Sequence, residues 1–439
     1  MTTADYTTHY CIIGAGASGI TAAKNLRALG ISCTVFERED DIGGNWYYGK
    51  PHSSVYQSTH LISSKTMTAY TDYPMPASYP DYPNHRQVLA YLRDYARHFG
   101  VYDLIEFNST VTRAEREPDG NWLVTLDTGE IRRYGGLISA IGHLWDPKYP
   151  DIPGHFDGTT LHSAEYKTPA IFEGKHVLVI GAGNSGCDIA VDAASRAAQV
   201  FHSLRRGYHF IPKYIFGQPA DVFGEYSLKL RIPRFIQRPI QTLLIRMILG
   251  NPARFGLPKP DHGLLQSHPL VNSSLLYAVG HGEITPKPDI SKLEGHQVRF
   301  VDGSLERVDV IVYATGFKIS FPFLDDRHLN SSAGKPRLFM HAFHPIYDNF
   351  FIIGMLEPDS GIFWVSDLQS QVVGEFIRAQ NQQAKAADWF RQTKAGPVPD
   401  LQAGRRIDTD RHFLSVDHFR YKQLLLRFLK RFRQQGNRQ

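Results

Sequence analysis

Cysteine is scarce. Only Cys11, Cys33 and Cys187 occur in 439 residues. They are odd in number and form no Cys-x-x-Cys pair, which excludes a disulfide framework and a dithiol redox centre. They read as reduced core thiols of a cytoplasmic protein, and no metal site is expected. The chain also lacks any run of about 18 apolar residues, and its first residues lack the charged-then-apolar pattern of a secretory signal. No transmembrane segment is therefore expected. Strong charge is missing too. A net charge of +5 with no separate basic domain argues against nucleic acid as the main partner. Hydrophobic residues make up 42% of the chain, too many for disorder, and the length suffices for two domains of ordinary size.

What the chain does have is glycine in two patterned places. Residues 8–13 read as a short buried strand running into Gly14-x-Gly16-x-x-Gly19. Gly14 makes a tight turn, Gly16 admits a pyrophosphate, and Gly19 lets the next helix pack on the sheet. That helix, residues 20–29, stops at Gly30. Ala17 and Ser18 sit where free N–H groups and the positive dipole end meet phosphate oxygens. The following strand, residues 32–36, delivers Glu37 and Arg38. An acid roughly 20 residues past the glycines can bind a ribose diol and repels a 2′-phosphate. The site suits FAD or NAD and disfavours NADP. Next comes Asp41-Ile42-Gly43-Gly44-Asn45-Trp46. Its glycine pair fits a chain passing close to a flavin cofactor, and equally an ordinary loop anchored by tryptophan.

Residues 47–83 are loop-like and rich in Tyr, Ser and Pro, a composition that suggests an aromatic layer packed against something flat. Residues 84–99 read as a helix with Asn84 as N-cap and Gly100 as its stop. Val88, Leu89, Tyr91, Leu92, Tyr95, Ala96 and Phe99 form its core face. Strands follow near 104–113, 121–127 and 131–140. Pro147, Pro150 and Pro153 mark the exit from this unit.

A second strand, residues 177–180, enters Gly181-x-Gly183-x-x-Gly186, and the helix after it contains Asn184, Ser185 and Asp188. The next strand, 199–202, ends in Ser203-Leu204-Arg205-Arg206-Gly207 in place of an acid. Guanidinium groups at the ribose end fit a 2′-phosphate, so this site suits NADPH; a solvated basic turn is the plainer reading. Residues 208–280 form an insertion containing Arg231-Ile-Pro-Arg234 and the apolar run 242–249. It suits a lid, a homodimer contact or a peripheral membrane contact. Strands at 298–301 and 308–313 lead to Ala314-Thr315-Gly316-Phe317, where the chain would cross back. Strand 350–353 and Gly354 precede a helix starting near Ser366. On it Gln369 reads either as a flavin-edge partner or as an ordinary surface glutamine. Residues 413–439 form a basic amphipathic helix.

Together these features predict an α/β fold of two Rossmann-like dinucleotide-binding domains. Residues 1–166 and 315–439 form the first, and residues 167–314, with insertion 208–280, form the second. The chain resembles the flavin-containing monooxygenases, class B flavin-dependent enzymes, from about Tyr10 to about residue 380. Phe156, Gly158, His162, Tyr166 and Lys167 match the family fingerprint F-x-G-x-x-x-H-x-x-x-(Y/F)-(K/P). Baeyer–Villiger relatives have Trp in place of Tyr166. The resemblance implies FAD at the first site, with His60, Ser63, Val111 and Gln369 joining Gly14, Gly16, Ala17, Ser18, Gly19, Glu37, Arg38, Gly44, Asn45 and Trp46. It implies NADPH at the second, with Thr315 and Gly316 joining the second glycine loop and its arginines. It implies a C4a-(hydro)peroxyflavin that gives one oxygen atom of O2 to a soft nucleophile, an amine nitrogen or a sulfide. Baeyer–Villiger oxidation of ketones is the nearest alternative, and a non-catalytic flavin- and NADPH-binding regulator is one from another class. His162 receives a linking role between domains. The family commonly has asparagine before a Ser-Ser-Lys tripeptide; here Ile62 precedes Ser63-Ser64-Lys65, so either His60, Ser63 or a backbone group takes over, or the adduct is leakier and releases H2O2.

Overall fold

The computed structural model describes residues 3–229, 234–264, 266–267, 269–331, 335–402 and 412–436. Residues 231–233 of the basic run in the insertion and 437–439 of the tail lie outside the described residues.

One sheet runs in the order Ile105–Glu106, Cys33–Phe36, Ala4–Ile13, Ile131–Ser139, Trp122–Leu126, Val111–Arg116, with Phe350–Ile352 also paired to Ile131–Ser139. The central Ala4–Ile13 strand pairs parallel on both sides, placing Tyr10 opposite Cys33 and Cys11 opposite Leu137. A parallel strand covered on both faces needs an unbroken apolar run, and Cys11 and Ile12 are fully buried. Helices Ala17–Ala28 and Phe363–Asn381 pack together over it. Their seam holds the fully buried Asp367, which accepts from Thr21 Oγ1 at 3.0 Å, Asn25 Nδ2 at 2.8 Å and Lys24 Nζ at 3.1 Å. A buried carboxylate is tolerated only with such partners.

The second sheet runs Ile284–Lys287, Gln199–Ser203, His176–Ile180, Val310–Tyr313, Thr159–His162, every neighbouring pair being parallel. Gly154–Phe156 pairs with Ile290–Gly295 in a smaller sheet beside it. Gly154–Phe156 and Thr159–His162, which precede the expected boundary at residue 167, thus pair with strands that follow it. Thr159–His162 is a short, polar edge strand, and its pairing partner lies far away in sequence. Between the units, Asp146–Pro147 and Phe317–Lys318 form a two-stranded antiparallel ribbon.

Helix His85–His98 begins with a full capping box on Asn84 and Gln87, and Gly100 follows it at φ 63°. The expected strand 104–113 is broken into two. Asn108 adopts φ 52°, which an extended strand does not allow. Aromatics of the 47–83 loop pack on rings of the neighbouring helices. Tyr70 lies 4.0 Å from Tyr95 and 5.4 Å from Phe363, centroid to centroid. Among the described residues, no helix is long and apolar enough to cross a membrane.

Candidate functional site

The two glycine loops are built alike, hydrogen bond for hydrogen bond. Gly14 N–H donates to Phe36 O at 2.8 Å, and Gly181 N–H donates to Ser203 O at 3.1 Å. Ala140 N–H donates to Ile13 O at 2.9 Å, and Ala314 N–H donates to Ile180 O at 2.8 Å. Gly14 and Gly181 adopt φ of 97° and 114°. A Cβ on Gly19 would lie 1.8 Å from Gly14 O, and one on Gly186 would lie 2.0 Å from Gly181 O. Each loop leads into a helix whose N-cap, Gly16 or Gly183, makes no side-chain cap hydrogen bond. The first-turn N–H groups thus have no intrahelical acceptor and sit at the positive dipole end, which suits a pyrophosphate at both loops. Gly183 keeps open space where a Cβ would stand.

At the first loop, Gly44 stands so close to Gly16 that a Cβ on it would lie 2.9 Å from Gly16 Cα. The glycine pair therefore also serves loop-on-loop packing. Asn45 Oδ1 accepts from Ser54 N–H at 2.7 Å, and Trp46 meets Phe363 edge-on at 6.4 Å. Glu37 ends the Cys33–Phe36 strand almost buried. Its Oε2 accepts from Ala15 N–H at 2.6 Å and its Oε1 from Glu39 N–H at 3.0 Å. Burial raises its carboxyl above the usual range, and these two backbone donors oppose that shift. Gly14, Gly16, Ala17, Ser18, Gly44, Asn45, Trp46 and Arg38 all keep partial exposure. Val111 packs in the core with Phe36, leaving only its backbone for a ligand. Tyr70 escaped the sequence reading; its hydroxyl donates to Ala17 O at 2.6 Å and ties the aromatic loop to the helix start.

Gln369 requires correction. It is fully buried, accepts from Gly354 N–H at 3.0 Å and donates to Tyr421 Oη at 2.6 Å. It is a strut between the cleft-side Gly354 and the C-terminal helix His418–Gly436, with no surface for a flavin edge. Ser203 is likewise buried and donates to Pro288 O at 2.8 Å, so it faces no nucleotide. Asp188 accepts from Tyr56 Oη at 3.1 Å and Asn272 Nδ2 at 2.6 Å, and Asn184 Oδ1 accepts from Val271 N–H at 3.1 Å. Both brace the helix, and their roles are set by residues distant in sequence. His202 was missed entirely. It is buried, its Nε2 donates to Gly181 O at 2.9 Å, and burial pushes its pKa down to about 4, so it steadies the second loop as a neutral ring.

Ser185 and Arg205 are exposed and Arg206 is half-buried, on the open side of the second loop. Replacing both arginines with glutamine is expected to cut the preference for NADPH over NADH by about tenfold or more, since charge-assisted hydrogen bonds contribute about 1.5–3 kcal/mol each. The ratio of the two kcat/KM values measures this; an unchanged ratio would place the 2′-phosphate elsewhere.

The joint between units is built on the fingerprint residues. His162 is fully buried. Ala164 N–H donates to its Nδ1 at 3.2 Å, so the proton sits on Nε2, which donates to Gly316 O at 3.1 Å. Burial lowers its pKa, keeping it neutral. Thr315 Oγ1 donates to Lys148 O beside it, so that hydroxyl belongs to the crossing ribbon. Tyr166 donates to Asp192 Oδ2 at 2.9 Å, and Lys167 Nζ donates to Ala164 O at 2.8 Å and to carbonyls of Ser53 and Val55. The 47–83 loop is thereby stitched to the second unit. Just beyond the stitches, Ile62 is 45% exposed and offers no hydrogen bond. Ser63 Oγ lies 2.8 Å from Thr68 Oγ1. The exposed His60 donates from Nδ1 to Ser58 O at 2.7 Å, leaving Nε2 as an acceptor.

A family model described as flavin-binding monooxygenase-like matches residues 7–396. The chain is 33% identical over 433 residues to flavin-containing monooxygenase 5 of Rattus norvegicus, covering 93% of this chain and 80% of that one. It is 33% identical over 384 residues to the N-oxide-forming dimethylaniline monooxygenase 2 of Macaca mulatta, covering 82% and 72%. In fold it is similar to the S-allyl-L-cysteine S-oxygenase of Allium sativum, with TM-score 0.67 and 23% identity over 97% of this chain and 89% of that one. It is also similar to a cyclohexanone-bound cyclohexanone monooxygenase, with TM-score 0.71 and 19% identity over 96% and 97%.

Proposed function

The chain belongs to the flavin-binding monooxygenase-like family and is an FAD- and NADPH-dependent monooxygenase, and from that premise we propose how its residues serve oxygen transfer to an amine nitrogen or a sulfide. The observation that carries the assignment of sites is the duplicated glycine loop with unlike ribose ends: Glu37 at one, Arg205 and Arg206 at the other. Bound FAD supplies hydride acceptance from NADPH and the reaction with O2. The chain supplies position. Gly14, Gly16 and Gly19 would seat the FAD pyrophosphate, and Gly181, Gly183 and Gly186 that of NADPH. Glu37 would meet the FAD ribose and the arginines the 2′-phosphate. His162, neutral and locked in one tautomer, holds the domains in register and moves no proton. Tyr166 supports the heteroatom branch; the fold likeness to cyclohexanone monooxygenase supports the second reading, ketone oxidation to an ester.

The test is anaerobic reduction of the yellow protein by NADPH, then mixing with oxygenated buffer while spectra are recorded. A transient lasting seconds, discharged by amines or sulfides, is the expected result. Direct return to oxidised flavin with stoichiometric H2O2, whatever nucleophile is added, would overturn it. An ester from a ketone would select the second reading. Because Ile62 donates nothing, Ile62→Asn is expected to lower the share of NADPH equivalents released as H2O2 by about fivefold, the equivalent of one net hydrogen bond of about 1 kcal/mol. An unchanged share would show that the loop stabilises the transient without this side chain.

The three cysteines are buried and free, which supports a reducing, cytoplasmic setting. Ile240, Leu243 and Met247 on helix Arg234–Leu249 are exposed, and this face is where a peripheral membrane contact or a homodimer contact would form.

A further inference from the structure

The geometry points to Asp221 as a positioning residue that couples the NADPH-side unit to the loop beside the flavin site, an inference that rests on the functional reading above. Asp221 lies in the first turn of helix Ala220–Lys229, at the head of the insertion. Its Oδ2 accepts from Ser64 N–H at 2.6 Å, while its Oδ1 accepts from Val222 N–H at 2.8 Å. One carboxylate therefore holds both its own helix start, where the dipole favours negative charge, and the backbone two residues past Ile62.

The contact is part of a line. Tyr82 donates to Lys213 O at 2.5 Å and its ring meets Tyr214 edge-on at 5.5 Å. On the other side of Ile62, Tyr56 donates to Asp188, Ser58 to Asp192 Oδ2 at 2.5 Å, and Gln57 N–H to Lys167 O at 2.8 Å. The stretch from Thr59 to Ser63 is thus flanked by two attachments to the second unit, one near residue 57 and one at Ser64, while Leu61 N–H to Pro83 O at 2.9 Å and His85 N–H to Thr59 O at 3.0 Å hold its middle to the start of helix His85–His98. The Asp221 attachment is a charge-assisted hydrogen bond from a backbone donor, so it acts on chain position regardless of the side chain at 62. Ile62 has no side-chain hydrogen bond of its own, so the placement of its C-terminal flank rests on the Ser64 tie together with the Pro83 and His85 contacts. Release of Ser64 would let water reach the flavin side and let reduced cofactor lose its equivalents to H2O2.

Hydrogen exchange of the FAD-loaded enzyme, resolved over residues 60–66, tests the tie without turnover; H2O2 per NADPH oxidised tests its consequence. In Asp221→Ala the Ser64 amide is expected to exchange about tenfold faster, as for loss of a charge-assisted hydrogen bond. The H2O2 share rises severalfold, with FAD content and NADPH affinity unchanged. Asp221→Asn keeps a carbonyl acceptor and restores both. Unaltered exchange in Asp221→Ala overturns the tie. Faster exchange with an unaltered H2O2 share, or an Asn variant that behaves like Ala in both measurements, overturns the coupling. Wild-type enzyme whose flavin NADPH does not bleach overturns the functional reading instead, and the exchange arm distinguishes that failure from the others.

Discussion

Gly19→Ala is expected to give protein that retains no FAD, and Gly186→Ala a yellow protein that NADPH no longer reduces. The cause is steric. A Cβ at position 19 meets the Gly14 carbonyl oxygen at 1.8 Å, and one at 186 meets the Gly181 carbonyl oxygen at 2.0 Å. The atom struck is backbone on the strand-to-helix turn, so no side-chain rotation relieves it. The helix must lift or the turn must open, and either movement displaces the N–H groups aimed at the pyrophosphate. Overpacking costs about 1–3 kcal/mol when side chains can adjust. With a backbone carbonyl struck in each loop, a loss of about 100-fold in nucleotide affinity is the expectation. Flavin absorbance after purification checks the first variant, and anaerobic titration with NADPH checks the second. The pair forms a double dissociation. Retained FAD in Gly19→Ala, or normal NADPH reduction in Gly186→Ala, would mean that the two loops do not hold the two nucleotides.

The second large effect concerns stability. His418 opens the C-terminal helix with only 8% exposure, between two carboxylates. Its Nδ1 donates to Asp359 Oδ1 at 2.7 Å and its Nε2 to Glu225 Oε2 at 3.2 Å, so both nitrogens carry protons and the ring is an imidazolium. Burial alone would lower its pKa; Asp359, then Glu225 and Asp417, overcome that and hold it at about 10 against an ordinary 6.5. A pKa raised on folding adds stability that is complete below the unfolded value and lost above the folded one. The contribution is therefore full below about pH 6.5 and disappears as the pH climbs to about 10. His418→Gln removes the imidazolium that stands between the two acids. Breaking such a buried set costs about 3–5 kcal/mol. Denaturation profiles should show the variant less stable by about that amount near pH 6, with the gap to wild type closing by about pH 10. A gap independent of pH would show that the ring is neutral in the folded protein. Because Glu225 belongs to the insertion and Asp359 to the flavin-side unit, the same ring pins one to the other.

How much was legible beforehand follows from the range of each interaction. Gly14, Gly16, Gly19 and their counterparts at 181, 183 and 186 act through local backbone geometry, which residue type and spacing dictate. The charge contrast between Glu37 and Arg205-Arg206 is equally local, since each follows directly on a short strand. Asn84, Gln87 and Gly100 delimit their helix by contacts within one turn. These features determined the fold class, the two nucleotides and the family. Gln369, Ser203 and Asp188 stand at positions where pattern suggests a ligand, and each has its hydrogen bonds taken by Gly354 and Tyr421, by Pro288, and by Tyr56 and Asn272. Strand Thr159–His162 exists only by pairing with Val310–Tyr313, a partner distant in sequence. Asp221, His202 and His418 carry no local signature at all. A polar side chain takes its role from the atom it meets, and when that atom lies beyond the reach of local spacing only the folded chain decides which one it is.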